Sequence, residues 1–377
     1  MQIRAPLSFV KEQGLSRNNG LDVLRGLAVM LVIFRHGRVF LEEDGKFLHA
    51  VTSMLQRGGW VGVDLFFTLS GFLVSGLIYS EMRHLGSFRP GYFLVRRAFK
   101  IYPSFWFFLA VSVLGGLVLP LPKLTVSKIL SEFFFVQNYF GGLWQHTWSL
   151  AVEEHFYLIL TFMCWLFGNP NRVSGRQFLP LALSSILIVC YGLRIANRPA
   201  VVVEEWSLFP THLRLDSLAA GALLAYAWHF GKLKTLVKQG RWTLVSLAVG
   251  VILLAPPFFV PVKESPFIVT HGLTLNYIGS CLLILGMIGL NLTGRFCAAI
   301  SLLGSNSYNI YLWHIPAAGL SVSIARRLMP QAKILWVEYC IYISAAIIVG
   351  IAMTRFIETP VLRLRDRIIP SRSRSAV

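Results

Sequence analysis

Long apolar runs follow one another along the whole chain, and each is broken by a short polar or basic segment before the next begins. A hydrocarbon core about 30 Å thick needs roughly 20 apolar residues in a helix. Runs that approach this length fall at 23–40, 61–79, 102–119, 148–167, 179–193, 213–228, 242–260, 273–290, 302–325 and 334–356. The pattern predicts an all-α integral membrane protein of about ten transmembrane helices in a single bundle. The stretch ILSEFFFVQNYF at 129–140 is too short to cross and reads as interfacial or re-entrant.

Composition supports this reading: 55% of the residues are hydrophobic, 14% are charged, and the mean hydropathy is +0.63. A water-soluble domain does not have this balance. The net charge of +18 raises nucleic acid as a partner, but the basic residues are not spread along one face. They gather in interhelical clusters: Arg96, Arg97 and Lys100; Lys232, Lys234, Lys238 and Arg241; and Arg363, Arg365, Arg367, Arg372 and Arg374. That is the distribution of membrane orientation signals, and it puts both termini in the cytoplasm, although Arg326, Arg327 and Lys333 then fall outside. The expected layout is a cytoplasmic segment 1–20, a multispanning domain 21–360 and a basic cytoplasmic tail 361–377. The first residues carry no cleavable signal with an apolar h-region. The five cysteines lie in apolar stretches without a CxxC spacing and read as packing residues.

Ionisable residues inside the apolar runs carry the functional signal, because each costs roughly 2.5–3.5 kcal/mol at a helix centre on insertion scales. In LDVLRGLAVMLVIFRHG, Arg25 and His36 are separated by ten residues. Eleven helical steps amount to about 1100°, within roughly 20° of whole turns, and to a rise of about 16 Å. The two side chains therefore share one stripe, the cation low in the bilayer and the imidazole high. Taken singly, Arg25 also fits an inner-leaflet anchor, and His36 a polar cap on the outer helix end.

In GWVGVDLFFTLSGFLVSG, Asp64, Thr68, Gly71 and Ser75 form a narrow small and polar stripe, with Asp64 either neutralised by an arginine or orienting a functional group. In TWSLAVEEHFYLIL, Ser149, Glu153 and Tyr157 share a face, and Glu153 is the carboxylate expected to line a cavity. Glu154 and His155 point elsewhere. The cluster Arg96, Arg97 and Lys100 suits the phosphates of a nucleotide-bearing donor and, equally, anionic lipid headgroups.

Seven segments in order resemble the acyltransferase-3 family of membrane-bound O-acyltransferases, in its stand-alone form. They are LDVLRGLAVMLVIFRH, GVDLFFTLSGFL, RRAFKIYP, WSLAVEEHFYL, LRLDSLAAGALLA, SNSYNIYLWHIP and FIETPVLR. The resemblance implies a location in the cell inner membrane and transfer of an acetyl or other short acyl group from acyl-CoA to a hydroxyl. The acceptor it implies is a glycan, a lipid-linked sugar or a small hydroxylated molecule. It implies neither a resident cofactor nor a metal.

By resemblance, His36, Glu153 and Asp64 are the catalytic set and Arg25, Arg97 and Lys100 bind the donor. Lys100 stands where the family's Arg-x-x-Arg has its second arginine, which keeps the charge and loses the bidentate fork. His36 would serve as general base, with Glu153 or Asp64 orienting it, or would carry the acyl group itself. His314 and Glu358 also match family segments and are read as packing or helix-end residues, and Asp216 as a partner of Arg214 or a residue lining the outer cavity. A second reading of the same buried charges is a transporter or flippase for an anionic or lipid-linked glycan, although no internal repeat supports it.

Overall fold

The computed structural model describes residues 18–118, 124–167, 173–197, 203, 207–238, 240, 242–290, 292–328 and 335–372. The segment 1–17, Arg241, Lys333 and Arg374 lie outside the described residues. Fourteen of the helices frame the molecule: α1 Asn19–His36, α2 Lys46–Gly58, α3 Val61–Leu85, α4 Pro90–Val118, α5 Val126–Phe133, α6 Trp148–Phe167, α7 Val173–Ala196, α8 Leu215–Phe230, α9 Thr243–Leu254, α10 Leu273–Gly289, α11 Arg295–Ser305, α12 Ser307–Leu328, α13 Leu335–Met353 and α14 Thr359–Ile368. No strand occurs among the described residues.

Local chemistry sets the ends that matter for the site. The Asn18 side chain accepts the Leu21 amide and starts α1 with Asp22 in its first turn, while extended Gly37 stops the helix immediately after His36. Gly86, at φ +64°, closes α3 by donating its amide to Met82, a left-handed cap that favours glycine. A π-helical turn, Thr354–Glu358, joins α13 to α14 and carries Glu358 into the bundle.

The centre of the bundle is α3, packed against α8, α1 and α10. Small residues allow these close crossings. A Cβ on Gly71 would strike the Leu218 carbonyl, and one on Gly221 would strike the Thr68 carbonyl, so α3 and α8 meet backbone to backbone. We expect Gly71→Ala and Gly221→Ala each to cost about 1–3 kcal/mol through overpacking. Lowered thermal midpoints in detergent check this; unchanged midpoints for both variants would show that the crossing has slack.

Among the described residues, six helical segments are long and apolar enough to cross a bilayer: Val61–Leu85, Pro90–Val118, Gln145–Phe167, Phe178–Ala196, Ile268–Gly289 and Leu335–Ile368. The chain is an all-α multi-pass membrane protein. Length and composition support these six rather than about ten. The other expected spans fall on α1, which carries Asp22, Arg25 and Arg35; on α8 and α9, which have 16 and 12 residues; and on α12, which ends on two arginines. The stretch 129–140 does not span. It folds as the end of α5, a positive-φ Phe135 and a single helical turn, Gln137–Phe140. Glu132 pins this hairpin by accepting from the Thr147 hydroxyl at 2.8 Å and the Trp144 amide at 3.3 Å. Burial pushes its carboxyl up to about 7.

Candidate active site

Three voids follow one another through the bundle, each sharing wall residues with the next. The first, about 270 Å³, is lined by Glu81, Tyr92, Arg96, Arg97, Lys100, Arg365 and Arg372 among others. Its basic wall is the RRAFK segment of α4, met by the chain end that follows α14. Arg96 pairs with Asp366 at 3.1 Å, and Arg372 with Glu81 at 3.0 Å.

Arg97 and Lys100 also face a second, narrow chamber of about 70 Å³, together with Arg25, Ser70, Glu153 and Tyr308. The Arg97 guanidinium lies 4.2 Å above the Tyr157 ring and donates to its hydroxyl. That hydroxyl donates to Glu153 at 2.5 Å, and Ser70 donates to the same carboxylate oxygen at 3.2 Å. Lys100 is engaged by Glu358, whose other oxygen accepts from Asn309 at 2.7 Å.

Val63 and Tyr311 belong both to this chamber and to the third void, a cavity of about 610 Å³. His36, at the last turn of α1, is exposed to it, and His146, Trp148, Arg214 and Lys263 complete much of its wall. The His36 ring lies 5.2 Å from that of His314, which lies 5.0 Å from that of His146. His146 Nε2 sits 3.1 Å from the Leu312 carbonyl oxygen, and His314 Nδ1 sits 2.5 Å from that of Tyr311. A carbonyl only accepts, so those nitrogens carry the hydrogens. The opposite nitrogens, Nδ1 of His146 and Nε2 of His314, are buried without a hydrogen-bond partner among the described residues. Among the described residues, no three His, Cys, Asp or Glu side chains converge to hold a metal ion.

The structure thus brings Arg25, Arg97, Lys100 and Glu153 around one chamber and sets His36 in the adjoining one. Asp64 lines neither. It is fully buried, paired with Arg214, and accepts from Asn276 at 2.8 Å. Arg214 is held between the faces of Phe67 and Trp148, at 5.5 and 5.4 Å. Asp216, expected on Arg214 or along the outer cavity, instead pairs with Arg194 at 2.6 Å and does not line the cavity at His36. Sequence reasoning set His314 aside and passed over His146. The signal for both was a histidine at an apolar helix: His146 immediately before α6, and His314 one turn after Tyr311 on α12.

The family model for the acyltransferase domain matches residues 18–355. The chain belongs to this acyltransferase family. The peptidoglycan O-acetyltransferase OatA of Listeria monocytogenes is 26% identical, over 90% of this chain and 55% of that protein. The O-acetyltransferase OatA of Staphylococcus aureus is 27% identical, over 91% of this chain and 57% of its own length. The chain therefore spans little more than half the length of the curated relatives it matches. No solved structure matches it. The matched stretch holds the three histidines, Arg25, Arg97, Lys100 and Glu153, and stops short of Glu358 and the chain end that walls the first void.

Proposed function

We propose that this chain is a membrane-bound O-acyltransferase that moves an acetyl or other short acyl group from acyl-CoA to a hydroxyl of a glycan or glycolipid. In this reading both termini lie on the cytoplasmic side of the inner membrane, and the first void opens there. Arg96, Arg97, Arg365 and Arg372 hold the donor's phosphates, a task for which guanidinium forks are suited. The narrow chamber admits only a thin chain, so the nucleotide stays below while the pantetheine arm runs past Arg25 and Lys100 to the neck at Val63 and Tyr311.

The thioester then meets the acceptor in the third void. His36 takes the proton of the attacking hydroxyl as the new C–O bond forms at the carbonyl carbon. The C–S bond breaks, and the proton returns to the departing thiolate, so an ester and free CoA leave and His36 is neutral again. His314 and His146 present unprotonated nitrogens beside this step and steady the charged ring. Glu153, one chamber below, holds Arg97 and Tyr157 in place on the donor side.

The observation that supports this most is the succession of voids, each sharing wall residues with the next, from a basic mouth to a cluster of imidazoles. Protein in nanodiscs with radiolabelled acetyl-CoA and a glycan acceptor is expected to label the acceptor, whereas Val63→Trp, which fills the neck, retains CoA binding and loses labelling. Movement of the glycan across a vesicle membrane without label, or wild-type labelling by Val63→Trp, would overturn the proposal.

A further inference from the structure

The chain end that walls the first void is fastened across it at several points. Arg96 donates to the Ile369 carbonyl and Tyr92 to the Pro370 carbonyl. Arg372 pairs with Glu81 at 3.0 Å, its guanidinium 5.8 Å from the centre of the Tyr92 ring. Residues 366–372 thus form a strap that runs from the end of α14 to α3 and α4. The void it walls measures about 270 Å³, just under the roughly 300–1,000 Å³ of a small-molecule site, so a nucleotide enters as the strap yields.

Where the strap leaves α14, Asp366 sits between two guanidinium groups. Its Oδ1 accepts from Arg365 Nε at 2.9 Å and Nη2 at 2.8 Å, and lies 3.1 Å from Arg96 Nη2. One anionic oxygen met by two arginine forks is how a phosphate is held. Arg96 and Arg365 both line the void, yet the anion between them is the protein's own carboxylate. Asp366 keeps 53% of its side chain exposed, and ion pairs so open to water are weak. A stronger anion therefore displaces it at little cost.

Charge decides which anion that is. A carboxylate carries one negative charge, and so does each phosphate of an internal diphosphate, so exchange between them gains little. A terminal phosphomonoester carries about −1.5 to −2 near neutrality and gains more from two arginines. We infer that Asp366 is a resident stand-in for a terminal phosphomonoester, and that the seat between Arg96 and Arg365 selects acyl carriers that bear one: on CoA, the 3′-phosphate of the ribose. The inference rests on the acyl-transfer reading above and adds to it the residues that choose the donor. Arg365 and Asp366 lie beyond the stretch that the family model matches, so the seat is a feature of this chain's own end. With donor bound, the phosphomonoester bridges Arg96 and Arg365 and Asp366 turns to solvent; without it, the carboxylate fills the seat and the strap lies shut.

The test uses the full chain in nanodiscs, with CoA, 3′-dephospho-CoA and adenosine 3′,5′-bisphosphate as probes and titration calorimetry to read binding. Wild type is expected to bind CoA at least about tenfold more tightly than 3′-dephospho-CoA. Asp366→Asn keeps the shape of an exposed side chain and removes the competitor, so CoA and the bisphosphate should each bind about two- to fivefold more tightly. Arg365→Gln should cut the preference for CoA over 3′-dephospho-CoA to about twofold or less. That preference is a ratio within one protein, so partial misfolding cancels from it. Equal binding of the two CoA forms by wild type, unchanged or weaker CoA binding in Asp366→Asn, or a full preference in Arg365→Gln overturns the seat. Acetyl transfer is followed separately in the same samples. The expected binding pattern without transfer would count against the acyltransferase reading and leave the seat standing; equal transfer from acetyl-CoA and its 3′-dephospho form would do the reverse.

Discussion

Replacing His36 by Gln is expected to lower acyl transfer by about 10²- to 10⁴-fold, the usual worth of a positioned general base. The reason is geometric. His36 is the exposed member of the histidine cluster and lines the cavity, where His146 is almost fully buried; the His36 ring lies 5.2 Å from His314, which lies 5.0 Å from His146. A glutamine occupies similar space but cannot take a proton, so folding should survive and chemistry should not. Affinity for CoA should also survive, because Arg96, Arg97 and Lys100 line different voids from His36. Single-turnover transfer from acetyl-CoA in nanodiscs, with CoA binding measured in parallel, separates the two effects. A wild-type rate in the folded variant would remove His36 from the mechanism. His314→Gln should cause a smaller loss, because that ring supports His36 and does not itself line the cavity.

The axial stripe was legible in the chain because helical geometry alone relates Arg25 to His36, and both residues do lie on α1 and open into successive voids. The basic cluster on α4 was legible for the same local reason. What could not be read was which helix faces which. Periodicity shows that Asp64 points into the bundle, but nothing in α3 says that its partner is Arg214 rather than a group near His36. Lys100 meets Glu358 through a π-helical turn that no periodicity announces. His146 and His314 join His36 from two other helical segments far along the chain, so each looks like an isolated polar residue until packing brings them together. The count of about ten crossings goes beyond what length and composition support among the described residues, on a different ground. Hydropathy marks apolar runs, whereas α1, α8 and α9 are apolar pieces that are too charged or too short to qualify by length and composition.

Asp64→Ala should destabilise the protein by about 3–5 kcal/mol, the cost of leaving a buried charge without its partner. Both side chains of the pair are within 1% of full burial, and the Arg214 guanidinium sits against Phe67 and Trp148, which leave little room for water in place of the lost carboxylate. Asn276 would lose its acceptor as well. The double replacement Asp64→Leu with Arg214→Met removes both charges at once and should recover much of the loss, since buried pairs often exchange for apolar groups of similar volume at little cost. Thermal unfolding in detergent compares the three proteins. A single variant as stable as wild type would mean that solvent reaches Arg214, and a double variant no better than the single would mean that the site cannot repack. Arg214 also lines the cavity that holds His36, so a double variant that is stable yet slow in transfer would assign Asp64 its role: it positions the chemistry by holding that arginine, two steps from the reacting atoms.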